Sequence, residues 1–455
     1  MVKKDKGGPI MFRMGCATAD VTPDFPVYLR GYGARNELSS GVADPIAAGV
    51  IVLEQSGRKV LLITTDNDGV HAEICRLIAE KLESEFGIPS DHVFISASHT
   101  HFAPGFSRYA VTQAGGRLEL GIYPADTAFF DFWFGKVRTA VREALADLEE
   151  VTLESAVIPV PGIAFNRRTV RKSDGLVTTN YVIPEDPENY TFSPVDDDFH
   201  VWRFMKGGRP KALLGRFGCH PVTDEGLSYG ISADFPGAFR RAVRRDMDIP
   251  AFFVQGTAGD VVPMRRTARS REDIGEILSR LILLNELNFR PAGEFSLVPE
   301  HFTVPARLTR FPETDDLEGF WKNALEEARR RPPEEAYLFL YEAASRYLLA
   351  RRFGKKEFDF PVSLLRLGNE TLVFLPCEVL TDMGLALRRA CPEALVVSLT
   401  GGYEDYLPLS ADFAKGGYET DSEADFTPDT GDRVLAACID AVTKYRRTQP
   451  KGACI

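Results

Sequence analysis

Histidine and cysteine are scarce in this 455-residue chain, with seven of each. The cysteines are Cys16, Cys75, Cys219, Cys377, Cys391, Cys438 and Cys454, scattered, odd in number and without a Cys-x-x-Cys pair. A disulfide framework is therefore not expected, and a reducing compartment, the cytoplasm, is. No run of 18 apolar residues occurs, which excludes a helical membrane span. The basic start MVKKDKGGPI has no apolar stretch after it, so no secretory signal is read. Lys+Arg 54 against Asp+Glu 65 leaves a net charge of −11, the wrong sign for a general binder of nucleic-acid backbone. No Gly-x-Ser-x-Gly elbow is present, and the Gly-rich turn Gln255–Asp260 lacks the Lys-Ser/Thr of a phosphate loop. There is no internal repeat, no low-complexity tract and no linker long enough to divide the chain. The acidic run Asp196-Asp197-Asp198 reads as a solvated loop.

What is present is an ordinary globular composition, 44% hydrophobic and 26% charged. Strand-like and helix-like patterns alternate. Val50–Leu53 and Val60–Thr65 flank a Ser56-Gly57-Arg58 turn and predict a hairpin. Helical spacing predicts helices over 71–86, 128–148, 236–246, 271–287 and 379–390. Strands are expected at 93–98, 151–159, 199–205, 212–218, 251–254, 359–366, 371–376 and 395–399. Residues 315–352 are rich in Glu, Arg, Leu and Ala, are broken at Pro332-Pro333, and read as an inserted helical hairpin. These patterns predict one large α/β domain over 12–449, with a mixed β-sheet core, surrounding helices and an N-terminal extension at 1–11.

Two of the histidines stand in Ser98-His99-Thr100-His101, directly after a β-rich run. Along an extended backbone, residues i and i+2 face the same side. Both imidazoles are thus expected at one site beyond a strand end, where α/β folds hold their ligands. The pair reads as a zinc ligand plus a proton-handling histidine; two ordinary satisfied histidines are the plainer alternative. His220-Pro221 follows the apolar run Leu213–Cys219 in the same way, and Cys219 is expected to point away from it. Zinc hydrolases often use two histidines and a carboxylate, with a position open for water. Glu378, after Leu372–Leu375 and Pro376-Cys377, is the candidate carboxylate; an acid placed for the next helix's N-terminus is its alternative. The small residues of Gln255–Asp260 are expected to aim backbone amides at a substrate oxygen.

Several segments together resemble, in order, the catalytic domain of the neutral/alkaline (non-lysosomal) ceramidases. They are Gly15–Pro23 with Arg30-Gly31-Tyr32, Ser98–His101 with Pro104-Gly105, Asn166-Arg167, His220-Pro221, Ser232-Ala233-Asp234, Gln255–Pro263, Leu375–Glu378 and the tyrosine-rich 403–418. The resemblance implies a hydrolase of carbon–nitrogen bonds other than peptide bonds, with one zinc held by His99, His220, Glu378 and Tyr406. Tyr403 is the alternative tyrosine ligand, and Tyr418 falls where another site tyrosine is expected. Read from the residues alone, all three tyrosines are packing residues. The implied chemistry is amide hydrolysis by metal-activated water. His101 would handle protons, and Arg167 and Tyr418 would contact substrate or oxyanion. Val262 stands where the family pattern has serine, so no acyl-enzyme is expected. The sequence also ends where the family continues into a β-sandwich, and no signal is read. Both favour a soluble or modestly lipophilic amide over membrane-embedded ceramide. The expected partner is a small-molecule amide, lipid-like or not, with no nucleic acid. A lactam, lactone or ester at the same site, or a catalytically silent metal-binding homologue, are the alternatives.

Overall fold

The computed structural model describes residues 12–32, 35, 37–106, 110–114, 117–121, 124–224, 228–293 and 296–448. The extension expected at 1–11, residue 449 and Cys454 lie outside them.

Two sheets carry the fold. The larger contains β1 (Phe12–Asp20), β2 (Ala47–Gln55), β3 (Arg58–Thr65), β4 (Val93–Ala97), β5 (Glu149–Pro159), β6 (Asp198–Lys206), β7 (Arg209–Phe217) and β8 (Ala251–Gln255). Their spatial order is β8-β7-β6-β5-β1-β2-β3-β4, with a short ninth strand, Arg290–Pro291, beside β5. The smaller sheet runs β9 (Glu300–Arg307), β10 (Glu357–Leu367), β11 (Glu370–Phe374), β12 (Ala394–Val397). The helices are α1 (Ala72–Phe86), α2 (Pro124–Ala146), α3 (Asp234–Met247), α4 (Ala268–Leu284), α5 (Leu317–Ala328), α6 (Pro333–Phe353), α7 (Thr381–Ala390), α8 (Ser410–Phe413), α9 (Tyr418–Asp421) and α10 (Thr430–Thr448).

One unit recurs three times: an antiparallel hairpin, a helix, then a strand parallel to the hairpin's second strand. It appears as β2-β3-α1-β4, β6-β7-α3-β8 and β10-β11-α7-β12. Parallel neighbours require such a crossover. The first hairpin closes at Ser56 and Gly57, with φ of 52° and 78°, the paired left-handed conformation of a tight hairpin turn.

Alternation along the strands builds the layers. Val50, Val52, Leu61 and Ile63 pack under α1 and α2, whereas Ile51, Leu53, Val60 and Leu62 face Leu365, Leu372, Phe374 and Val397 of the smaller sheet. Leu213 and Phe217 pack with Phe235 and Phe239 of α3, and the smaller sheet's other face packs on α7 and α10. The result is one α/β/β/α stack. The expected mixed sheet, its helices and the helical pair around Pro332-Pro333 are all present.

Three features depart from the sequence reading. Central strand β1 is not among the expected strands; α2 passes so close to it at Gly15 that a side chain there would meet the Ala144 carbonyl. Helix α10 has no counterpart among the expected elements. The Asp196–Asp198 run is not a solvated loop: Asp196 is 3% exposed and accepts from Arg216 (3.4 Å) and Arg388 (2.9 Å), while Asp198 accepts from Arg388 (2.7 Å). The two arginines come from two other elements, β7 and α7.

Helices α3 and α4 cross at Gly275, where an added Cβ would lie 2.5 Å from backbone atoms of Ala238 and Phe239. Alanine's better helix propensity is worth about 1 kcal/mol, but the opposing backbone cannot turn aside as a side chain can. Gly275→Ala is expected to lower stability by about 1–3 kcal/mol, seen as a lower denaturant midpoint at unchanged slope.

Candidate metal centre

Strands β4 and β8 are opposite ends of the large sheet's strand order, yet its curl brings them into contact. The segment after β12 closes the seam. Ser398 N donates to Gln255 O (3.0 Å), Ala97 N to Leu399 O (3.1 Å) and Gly401 N to Ile95 O (2.9 Å). Each recurring unit delivers residues here: His99 and His101 beyond β4, His220 beyond β7, Glu378 beyond β11.

Glu378 Oε2 lies 3.1 Å from His99 Nε2 and 3.0 Å from His220 Nε2, and His101 Nε2 lies 3.3 Å from His99 Nε2. The far side of two rings is fixed by carbonyls. His99 Nδ1 donates to Asp68 O (2.6 Å), and His220 Nδ1 donates to Ala258 O (2.5 Å) and Val261 O (3.1 Å). With Nδ1 holding the proton, Nε2 of each ring turns a lone pair inward. His220 Nε2 and Glu378 Oε2 are buried, and neither has a hydrogen-bond partner despite these short distances. Lone-pair atoms packed this closely without a donor fit a cation between them. The imidazole trio His99, His101 and His220 has the compactness of a metal-ligand group.

Burial, with Arg167 adding to it, drives His220 down to about 4. Burial also acts to lower His99, but Glu378 outweighs it and draws it up. Burial opposes ionisation of Glu378, yet His99 and His220 hold it well below the usual carboxylate range.

His99 and His101 do face one site, though not by strand alternation: His99 has φ 71°, a left-handed conformation. His101 differs from the other two. Its Nδ1 is shielded from solvent and has no hydrogen-bond partner. Burial lowers its pKa well below the ordinary histidine value, with His99 and His220 adding to the effect. The Arg30-Gly31-Tyr32 motif packs against this ring, with Tyr32 edge-on at 5.0 Å. Gly31 has φ 92°, and a Cβ there would overlap the imidazole. Gly31→Ala is expected to displace His101 and cost about 10²-fold in kcat, with metal content measured on the same sample unchanged.

The tyrosines do more than pack. Tyr403 donates to Glu378 Oε1 (2.8 Å), and Tyr406 OH accepts from Arg167 Nη2 (2.9 Å). Tyr406 is brought alongside by the parallel pairing of Glu378–Val379 with Tyr406–Leu407. The Tyr418 ring lies 5.9 Å from that of Tyr406 and 5.6 Å from the Arg167 guanidinium. Arg167 Nε donates to Glu419 Oε1 (2.6 Å), and its Nη2 also reaches Gly259 O (3.0 Å). Glu419, fully buried, also accepts from Arg168 (3.0 Å). Nothing in the sequence marks Glu419 except its place beside Tyr418.

The Gln255–Asp260 loop works opposite to expectation. Its Gly256 and Gly259 amides donate to Phe217 O and Val379 O, while its carbonyls orient His220 and Arg167. Asp260 accepts from Asn166 (2.6 Å) and from Thr381 N (2.9 Å) and Oγ1 (2.8 Å), bracing the loop. Asp234 accepts from Thr223 N (2.8 Å) and Oγ1 (2.9 Å), tying the His220–Thr223 turn to α3. Cys219 is buried in the core beneath α3, as alternation predicts, and Val262 is buried with Phe165 and Val222.

No family model matches the chain. Over 98 residues it is 28% identical to the neutral ceramidases of Drosophila pseudoobscura pseudoobscura and Drosophila melanogaster. That stretch is 21% of this chain and 14% of the length of those curated relatives. The whole-chain likeness is structural. A crystal structure of neutral ceramidase from Pseudomonas aeruginosa matches with TM-score 0.70 and 18% identity, covering 98% of this chain and 76% of that one. A ceramidase complexed with C2 matches with TM-score 0.70 and 17% identity, covering 98% and 77%.

Proposed function

We propose that this chain, which has the fold of the neutral ceramidases, is a metal-dependent hydrolase of N-acyl amides. The observation that carries the reading is the meeting of His99, His220 and Glu378, with buried His220 Nε2 and Glu378 Oε2 3.0 Å apart and each without a hydrogen-bond partner. Two imidazoles and a carboxylate suit zinc, with Tyr406 as the further ligand and Tyr403 holding Glu378. When bound, zinc would supply Lewis acidity to the amide carbonyl and lower the pKa of water toward about 7.

The chain's own groups do the rest. His101 Nε2 faces the cluster and takes the proton from the attacking water, then returns it to the departing nitrogen. Arg167, fixed by Glu419, holds positive charge beside Tyr406 and Tyr418, where the oxyanion develops. With Val262 in the apolar core, water attacks directly and no acyl-enzyme forms. The amide C–N bond breaks, water's oxygen stays in the carboxylate, and the nitrogen leaves as an amine. The scattered cysteines suit a cytoplasmic setting. Among the described residues, no helix is long and apolar enough to cross a membrane.

The test is turnover by zinc-loaded protein of ceramide in mixed micelles, short N-acyl amines, lactams and esters. Amide cleavage that stops on chelation and returns with zinc is expected. Turnover of lactams or esters alone would replace the substrate class, and tight zinc binding with no turnover of any of them would defeat the catalytic reading.

A further inference from the structure

Gln255 ends β8, and its side chain is fully buried. A glutamine amide offers two N–H donors and an oxygen that accepts twice, and here all four are used. Nε2 donates to Ser98 O (3.1 Å) and Cys219 O (2.9 Å); Oε1 accepts from Cys219 N (3.3 Å) and Gly256 N (3.1 Å). Ser98 immediately precedes His99, and Cys219 immediately precedes His220. One side chain therefore grips the backbone one residue before each of two histidines of the metal cluster. The grip also crosses the seam. Ser98 follows β4 at one end of the large sheet's strand order, Cys219 follows β7 next to the other end, and no ladder pairs β4 with β8 among the described residues. A residue serving only to fill this space would need none of these bonds, and an apolar side chain would suffice.

We infer that Gln255 is a positioning residue of the metal centre, setting the separation of His99 and His220 by clamping the chain just before each. The inference rests on the metal-dependent reading above. Gln255 touches neither histidine ring and acts through the backbone. Without its donors, the Ser98 and Cys219 carbonyls lose their common partner, and the two strand ends are free to part.

Gln255→Met keeps side-chain length and removes every hydrogen bond. Gln255→Glu keeps the acceptor toward Cys219 N and Gly256 N and puts, in place of the two-donor amide nitrogen, an oxygen that can donate to at most one of the two carbonyls; it decides the matter if the methionine variant fails to fold. Phe253→Leu, two residues earlier on β8 and packed under α3, serves as a control that loosens the core there while leaving the four hydrogen bonds of Gln255 in place. The readouts are zinc affinity by competition with a chelator and the visible absorption of cobalt(II)-substituted protein. Both Gln255 variants are expected to bind zinc about 10–100-fold more weakly and to shift the cobalt bands. Phe253→Leu should lower the Tm and keep wild-type affinity and bands. Wild-type affinity and bands in the Gln255 variants would overturn the inference while leaving the hydrolase reading in place. A wild-type protein that binds no zinc would defeat both.

Discussion

His220→Ala is expected to lose stoichiometric zinc, and with it all metal-dependent turnover; His99→Ala is expected to do the same. Each ring is held by carbonyls on its outer side, Asp68 for His99 and Ala258 with Val261 for His220. Such partners fix which nitrogen faces the ion, so the ligand is preorganised and its loss is not made good by a neighbour. Removing either ring also leaves Glu378, which is 3% exposed, with half of its nearby imidazoles. Elemental analysis of purified protein gives the direct reading. Thermal shift gives a second one. An ion binding only the folded state at a thousand times its Kd adds about 4 kcal/mol of stability, so zinc should raise the wild-type Tm and leave both variants unmoved. Equal zinc content in wild type and variants would show the site to lie elsewhere.

His101→Ala is expected to keep its zinc and lose about 10²–10⁴-fold in kcat/KM. His101 reaches the cluster with Nε2, yet its Nδ1 has no carbonyl behind it, unlike the other two rings. A ligand histidine is normally oriented from its second nitrogen, whereas a ring that shuttles a proton has to change its protonation state. Loss of zinc along with activity would move His101 among the ligands, and full activity would remove it from the chemistry.

The candidate site was legible in the sequence to the extent that strand ends were legible. His99, His220 and Glu378 each follow a short apolar run, and the three hairpin–helix–strand units explain why those runs end at one place. What could not be read locally is what distance along the chain supplies. The meeting of β4 with β8 arises from twist accumulated across the large sheet, and no single segment carries that sum. Asp196 reads as solvated until Arg216 and Arg388 arrive from two other elements. Glu419 is one acid among many until folding sets it under Arg167 and Arg168. His99 and His101 converge for a reason other than alternation, because a positive φ at a non-glycine residue leaves no mark in a pattern of side chains. The small residues of Gln255–Asp260 did signal close backbone approach; only the direction of the dipoles, carbonyls inward, was reversed.

One metal ion shared by His99, His220 and Glu378 is what the proposed chemistry requires. An anomalous difference map from crystals of zinc-loaded protein, collected at the zinc absorption edge, tests it most directly. One strong peak per chain is expected, about 2.0–2.2 Å from His99 Nε2, His220 Nε2 and a Glu378 carboxylate oxygen, with His101 outside that distance. No peak between these three side chains in zinc-loaded crystals, or a peak held by other residues, would contradict it.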